Sequence, residues 1–185
     1  MNFVDRVKGI LIEPRNEWQK IATEPATAQS LYTGWIMILA AIGPVALLLS
    51  LHSVQIAIAQ YVMSLIITFV LALVVDALAP SFGGTKDFIA SLKLTAYSYT
   101  VVWLAGVFLL LGLGGGIIAL VALIYALYTF FLGAPVLRKS SAERALPYTL
   151  VVVLCLVVLL TLARFVLGGM LVTPHLGSGM SMLIR

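Results

Sequence analysis

Residues 54–79 read VQIAIAQYVMSLIITFVLALVVDALA, an apolar run whose one charged residue, Asp76, lies near its end. At ~1.5 Å of rise per residue, a helix of this length crosses the ~30 Å hydrocarbon core of a bilayer with some to spare. Four further runs approach or exceed the same limit: Leu31 to Leu51, Leu94 to Gly112, Ile117 to Leu137 and Leu146 to Met170. With 62% hydrophobic against 10% charged residues, a water-soluble domain could not hide this apolar surface, whereas lipid solvates it directly. The pattern predicts an all-α, polytopic transmembrane bundle of five helices. It divides the chain into an amphipathic cytoplasmic segment (1–30), a five-helix membrane domain (31–170) and a flexible outside tail (171–185).

Positive charge marks alternate loops. Arg6, Lys8, Arg15 and Lys20 precede the first span, Lys86 and Lys93 lie between the second and third, and Arg138, Lys139 and Arg144 lie between the fourth and fifth. The first-to-second and third-to-fourth loops carry none, and the tail carries only Arg185. The positive-inside rule therefore predicts a cytoplasmic N-terminus and an outside C-terminus. The net charge of +4 is divided among three juxtamembrane segments, which suits anionic lipid headgroups on the cytoplasmic face and not a nucleic-acid surface. The first thirty residues mix acids and bases, and the first apolar run starts too late for a secretory signal, so the first span is expected to be retained.

Ahead of that span, Phe3, Val4, Val7, Ile10 and Leu11 share an arc of roughly 120° on a helical wheel, with Asp5 and Lys8 opposite. Pro14 interrupts the pattern. A second short helix, Asn16 to Ala22, places Trp18, Ile21 and Ala22 on one face, and Pro25 ends it. These helices are expected to lie on the membrane, with Phe3, Val7, Ile10, Leu11 and Trp18 as interfacial anchors and the Trp18 N–H left in the wet headgroup layer. Within the first span, Gly43-Pro44 predicts a kink. Gly112 to Gly116 reads as a tight outside turn.

Asp76 is the one acidic residue inside a span, where an ionisable group demands a partner or a function. It lies ~5 Å from the cytoplasmic edge, whereas Arg164 lies ~27 Å from that edge, so these two should not pair. The expected partners of Asp76 are Lys93, Arg138 or Lys139, with Tyr97 and Tyr99 as nearby hydroxyl donors; whether this cluster is structural or functional stays open. Tyr125 and Tyr128 read as anchors or packing. Cys155, the single cysteine, sits among Val and Leu and reads as packing. Neither His52 nor His175 has a second ligand at metal spacing, and no span pairs a Ser or Cys nucleophile with a His. No catalytic, cofactor or metal site is expected.

The amphipathic start with Pro14 and Trp18, the stretch from Phe82-Gly83-Gly84 to Ala96-Tyr97-Ser98-Tyr99, and Tyr125 with Tyr128 ahead of Gly133-Ala134-Pro135-Val136-Leu137 resemble prokaryotic members of the Yip family. That resemblance covers roughly residues 3 to 170. It implies a five-span membrane module with a cytoplasmic N-terminus, in a bacterial inner (plasma) membrane. Eukaryotic relatives carry an Asp-Leu-Tyr-Gly-Pro motif near the first span; the nearest string here is Leu31-Tyr32-Thr33-Gly34-Trp35. Two functions are compatible with these residues. One is a non-enzymatic scaffold that binds a membrane-protein partner, a second copy of itself or lipid. The other is a small transporter or channel component using the cytoplasmic-side Asp/Lys/Tyr cluster.

Overall fold

The computed structural model describes residues 2–138 and 142–180, the side chains of 113, 142, 167 and 169–180 excepted. Two short helices, α1 (Phe3–Ile12) and α2 (Pro14–Thr23), precede five that are long and apolar enough to cross a membrane. These are α3 (Ala28–Leu51), α4 (Val54–Phe82), α5 (Phe88–Leu111), α6 (Leu113–Arg138) and α7 (Ala142–Met180), with the fifth span taken as Glu143–Val166. The chain is a multi-pass membrane protein. Because consecutive spans run in opposite directions, α1 and α2, the α4–α5 loop and the α6–α7 connection share one end of the bundle, here the near end. The other is the far end.

The surface is that of a protein whose solvent is lipid. On α4 the exposed residues Ile58, Val62, Ile66, Phe69 and Leu73 recur at helical spacing, and Leu146, Leu150, Leu154 and Leu162 do the same on α7. Inside, one core cluster gathers Leu31, Trp35, Ile36 and Leu39 of α3 with Leu92, Ala96 and Trp103 of α5. A second joins Leu71 and Val75 of α4 to Leu94, Phe130, Ala134 and Tyr148. Tyr148 donates its hydroxyl to the Val75 carbonyl at 2.6 Å, tying α7 to α4.

Several boundaries differ from those the hydropathy predicts. The third span begins at Phe88, six residues ahead of Leu94, because Asp87 caps it by accepting from the Ala90 N–H, while Ser91 and Lys93 are buried. The first span begins at Ala28, behind a capping box in which Thr27 and Ser30 exchange side-chain bonds, and contains a π turn at Tyr32–Ile36. Its interruption falls at Ala41, three residues before Pro44, as expected from a ring that crowds the carbonyl four residues back. The glycine run is a turn only at Gly112 (φ +59°), since helix resumes at Leu113. Residues 171–180, assigned by sequence to a flexible tail, continue α7; residues 181–185 lie outside the described residues.

Candidate functional site

The near end concentrates the charge, in two separate networks. The first is built on Arg138, the last residue of α6, whose side chain is 1% exposed. Its Nη2 donates to Asp76 Oδ1 at 3.1 Å, and its Nη1 donates to the Asp87 carbonyl at 2.6 Å and to Ser91 Oγ at 2.7 Å. The same Asp76 oxygen accepts from the Asp87 backbone N–H at 2.8 Å and from the Ser91 hydroxyl at 3.2 Å. A buried charge is tolerated when it is paired and its remaining capacity is hydrogen-bonded, and both ions largely meet that condition. Gly83-Gly84 make the approach possible. Gly83 turns the chain at φ +76°, and a Cβ on Gly84 would lie 3.3 Å from the Arg138 Cβ and backbone oxygen. Thr85 N–H then donates to that same Arg138 carbonyl at 3.2 Å, closing the α4–α5 loop over the end of α6.

The second network fastens α1 and α2 to the bundle. Arg6 donates to buried Glu17 at 2.7 Å and pairs with Glu24, while Lys20 reaches Glu17 at 3.0 Å. The Arg6 guanidinium also lies over the Tyr97 ring, 5.8 Å from its centroid. Lys93 donates to the carbonyls of Ile21, at 2.9 Å, and Glu24. It therefore caps the C-terminal end of α2, where unpaired carbonyls and the helix dipole both favour a cation. Trp18 completes the attachment by donating its indole N–H to the Thr129 carbonyl at 2.9 Å. Gly133 makes room for that ring, because a Cβ there would lie 2.5 Å from an indole carbon. Tyr125 holds α1 from the other side, its hydroxyl shared between the carbonyls of Ile10 and Leu11.

The cluster expected from sequence therefore divides. Of the three cations offered to Asp76, Arg138 holds it; Lys93 serves α2 instead, and Lys139 lies outside the described residues. Tyr97 and Tyr99 do not donate to Asp76: Tyr97 packs against Trp35 and Trp18, and Tyr99 packs edge-on to Trp103. The expected interfacial anchors divide too. Phe3 sets its ring at a tilt against Trp35, Val7 packs against the core, and Ile10 and Trp18 are buried, so these four meet protein. Leu11 stays exposed, together with Val4 and Ile12. Arg6, Glu17 and Glu24 are the participants that sequence reasoning missed, although Arg6 falls beside Ile10 on the apolar side of the wheel, an anomaly that pointed to a buried partner.

The far half differs. A cavity of about 430 Å³ opens there between the spans, lined by Gly43, Gln60, Ser64, Trp103, Leu160 and Arg164 among others. Among the described residues of the near-end cluster, Tyr99 alone reaches it. Among the described residues, no group of three or more His, Cys, Asp or Glu side chains is placed to hold a metal.

A family model described as the Yip1 domain matches residues 8–163. No curated protein and no solved structure matches the chain. The matched region takes in the first four spans, the fifth as far as Ala163, the second half of α1 and all of α2, including Trp18 with its Gly133 seat and the Gly83-Gly84 turn over Arg138, and on that match the chain belongs to the Yip1 domain family.

Proposed function

We propose that this integral membrane protein is a non-enzymatic scaffold, with α1 and α2 as a fixed platform on the cytoplasmic side of a bacterial inner membrane. One observation carries the reading: near-end charges that could have served chemistry are engaged in holding the platform and the α4–α5 loop. Arg6, Glu17, Lys93, Asp76 and Arg138 all have charged or carbonyl partners within the protein. Lys8, Arg15 and Lys86 remain exposed, as do the apolar Val4, Leu11 and Ile12 of α1, which flank Lys8 at helical spacing. That combination suits an anionic headgroup layer, with the apolar edge sunk at its boundary and the cations over the phosphates. The rest of the platform faces the cytoplasm, available to a partner protein or a second copy.

Orientation follows from the loop charges and is tested by a reporter fused after Arg185, which should be active only outside the cytoplasm. The platform is tested in vesicles of phosphatidylcholine with and without phosphatidylglycerol. A protease on the platform side should spare α1 in the anionic vesicles, and Val4→Asp with Ile12→Asp should expose it. Equal cleavage in both vesicle types would count against headgroup engagement. The same vesicles should pass neither protons nor small cations; a flux removed by Asp76→Asn would replace this reading with a transporter.

A further inference from the structure

We propose that the far-half cavity binds one phospholipid of the far leaflet, its phosphate on Arg164 and Gln60 and one acyl chain in the space below. This site is independent of the platform and lies on the opposite side of the membrane. The volume of about 430 Å³ falls within the ~300–1,000 Å³ of small-molecule sites.

The levels of the lining residues fit such an occupant. The Tyr148–Val75 hydrogen bond sets a common reference between α7 and α4. Counting from it at ~1.5 Å per residue, Gln60 stands ~22 Å toward the far end and Arg164 ~24 Å, so two side-chain donors line the cavity at one level, close to the far interface. Thr68, on the same helix as Gln60, stands ~10 Å from the reference. Tyr99, two helical turns beyond the Ser91 that touches Asp76, comes out at about the same height, and both lie at the floor. Between rim and floor the walls are mainly apolar, with Ile67, Leu160 and the Trp103 ring, and small residues such as Ala40 and Ala163 leave the space open.

The floor hydroxyls are largely accounted for inside the protein. Thr68 donates to the Ser64 carbonyl and Thr95 to the Ser91 carbonyl, while the Ser64 hydroxyl accepts from Trp103. At the rim the situation reverses. Among the described residues, Arg164 has no ion pair and the Gln60 amide has no hydrogen-bond partner, although both line the cavity. A guanidinium at an interface with no acid beside it is complementary to an anion, and its planar fork matches phosphate oxygens. The Gln60 N–H groups add neutral donors at the same height. Below them lies a slot with the character of an acyl chain. A phosphate head on an apolar tail satisfies both parts at once, which a soluble anion or an uncharged lipid would not.

The test uses the full chain purified in detergent, with palmitoyl-oleoyl phosphatidylglycerol added and bound lipid counted by native mass spectrometry. Wild-type protein should retain one molecule after mild activation. Arg164→Gln and Gln60→Leu, on different helices, should each lower that occupancy, the arginine change by about tenfold as a charge-assisted contact implies. Ala119→Phe, which fills the lining from α6, should exclude the lipid, while Gln19→Ala at the exposed face of the near end should not alter it. Melting of each variant identifies any that misfolds, and the two rim changes report separately. Equal retention by wild type and by folded rim variants would overturn the proposal, as would equal retention of a diacylglycerol lacking the phosphate.

Discussion

The two ends of this bundle handle polar groups in opposite ways. At the near end Arg138, though 1% exposed, is surrounded by an acid, a hydroxyl and a carbonyl, and glycines at 84 and 133 let the neighbouring chain close over it and over Trp18. At the far end Arg164 is exposed and the helices separate around a cavity of about 430 Å³. Polar groups near the interface can thus serve as internal fasteners or be left available to lipid. Which role a residue takes depends on whether a second element reaches it.

The largest break in this contrast should come from removing a fastener. Arg138→Met would leave Asp76 buried without its counter-ion, and losing one partner of a buried pair costs about 3–5 kcal/mol. Thermal unfolding in detergent should drop accordingly, while the matching change at the far end, Arg164→Gln, should shift the midpoint little. Gly133→Leu comes next. Its side chain enters the space of the Trp18 indole, and overpacking of this kind costs about 1–3 kcal/mol. The strain should be relieved by undocking α2, read as a red shift of Trp emission and new protease cleavage before Ala28. Asp76→Asn preserves an acceptor for Asp87 N–H, Ser91 and Arg138, which also keeps the Asp87 carbonyl, but it removes the counter-ion, so its cost should be below that of the Arg138 change, about 1.5 kcal/mol as for a contact to a charged group. The smallest effect is reserved for the far-end turn. His52 holds φ +53°, and His52→Gly should stabilise by less than about 1 kcal/mol, relief of the left-handed strain being partly offset by added chain entropy.

The five spans were legible because lipid asks only for length and apolarity, both of which a sequence states outright. The start of α5 was not, since Ser91 and Lys93 look like loop residues until Arg138 and the end of α2 are beside them. For the same reason the wheel grouped Phe3, Val7 and Ile10 correctly and misassigned what they face: an apolar stripe suits the side of a bundle as well as it suits lipid. Asp76 stood out as a buried acid needing a cation, and three were at the right depth. Choosing Arg138 among them required the turn at Gly83-Gly84, whose closeness to α6 leaves no trace in local composition. The cavity was invisible, because it results from how Gly43, Ala119 and Ala163 face one another across separate helices.

The attachment of Trp18 to Thr129 also sets an order of events during synthesis. The two residues are 111 positions apart, and Lys93 is 72 positions from the Ile21 carbonyl that it caps. As the ribosome extends the chain, α1 and α2 emerge ahead of the five spans yet meet neither receptor until the third and then the fourth span has been inserted. Until that moment Arg6, Glu17 and Trp18 wait in water or headgroups, held through the Phe3 contact with Trp35 of the first span, with Lys93 supplying the first polar grip and the groove of α6 the second. A chain arrested before its fourth span should therefore carry a loose N-terminus, and docking of that N-terminus would record that the membrane domain has been assembled.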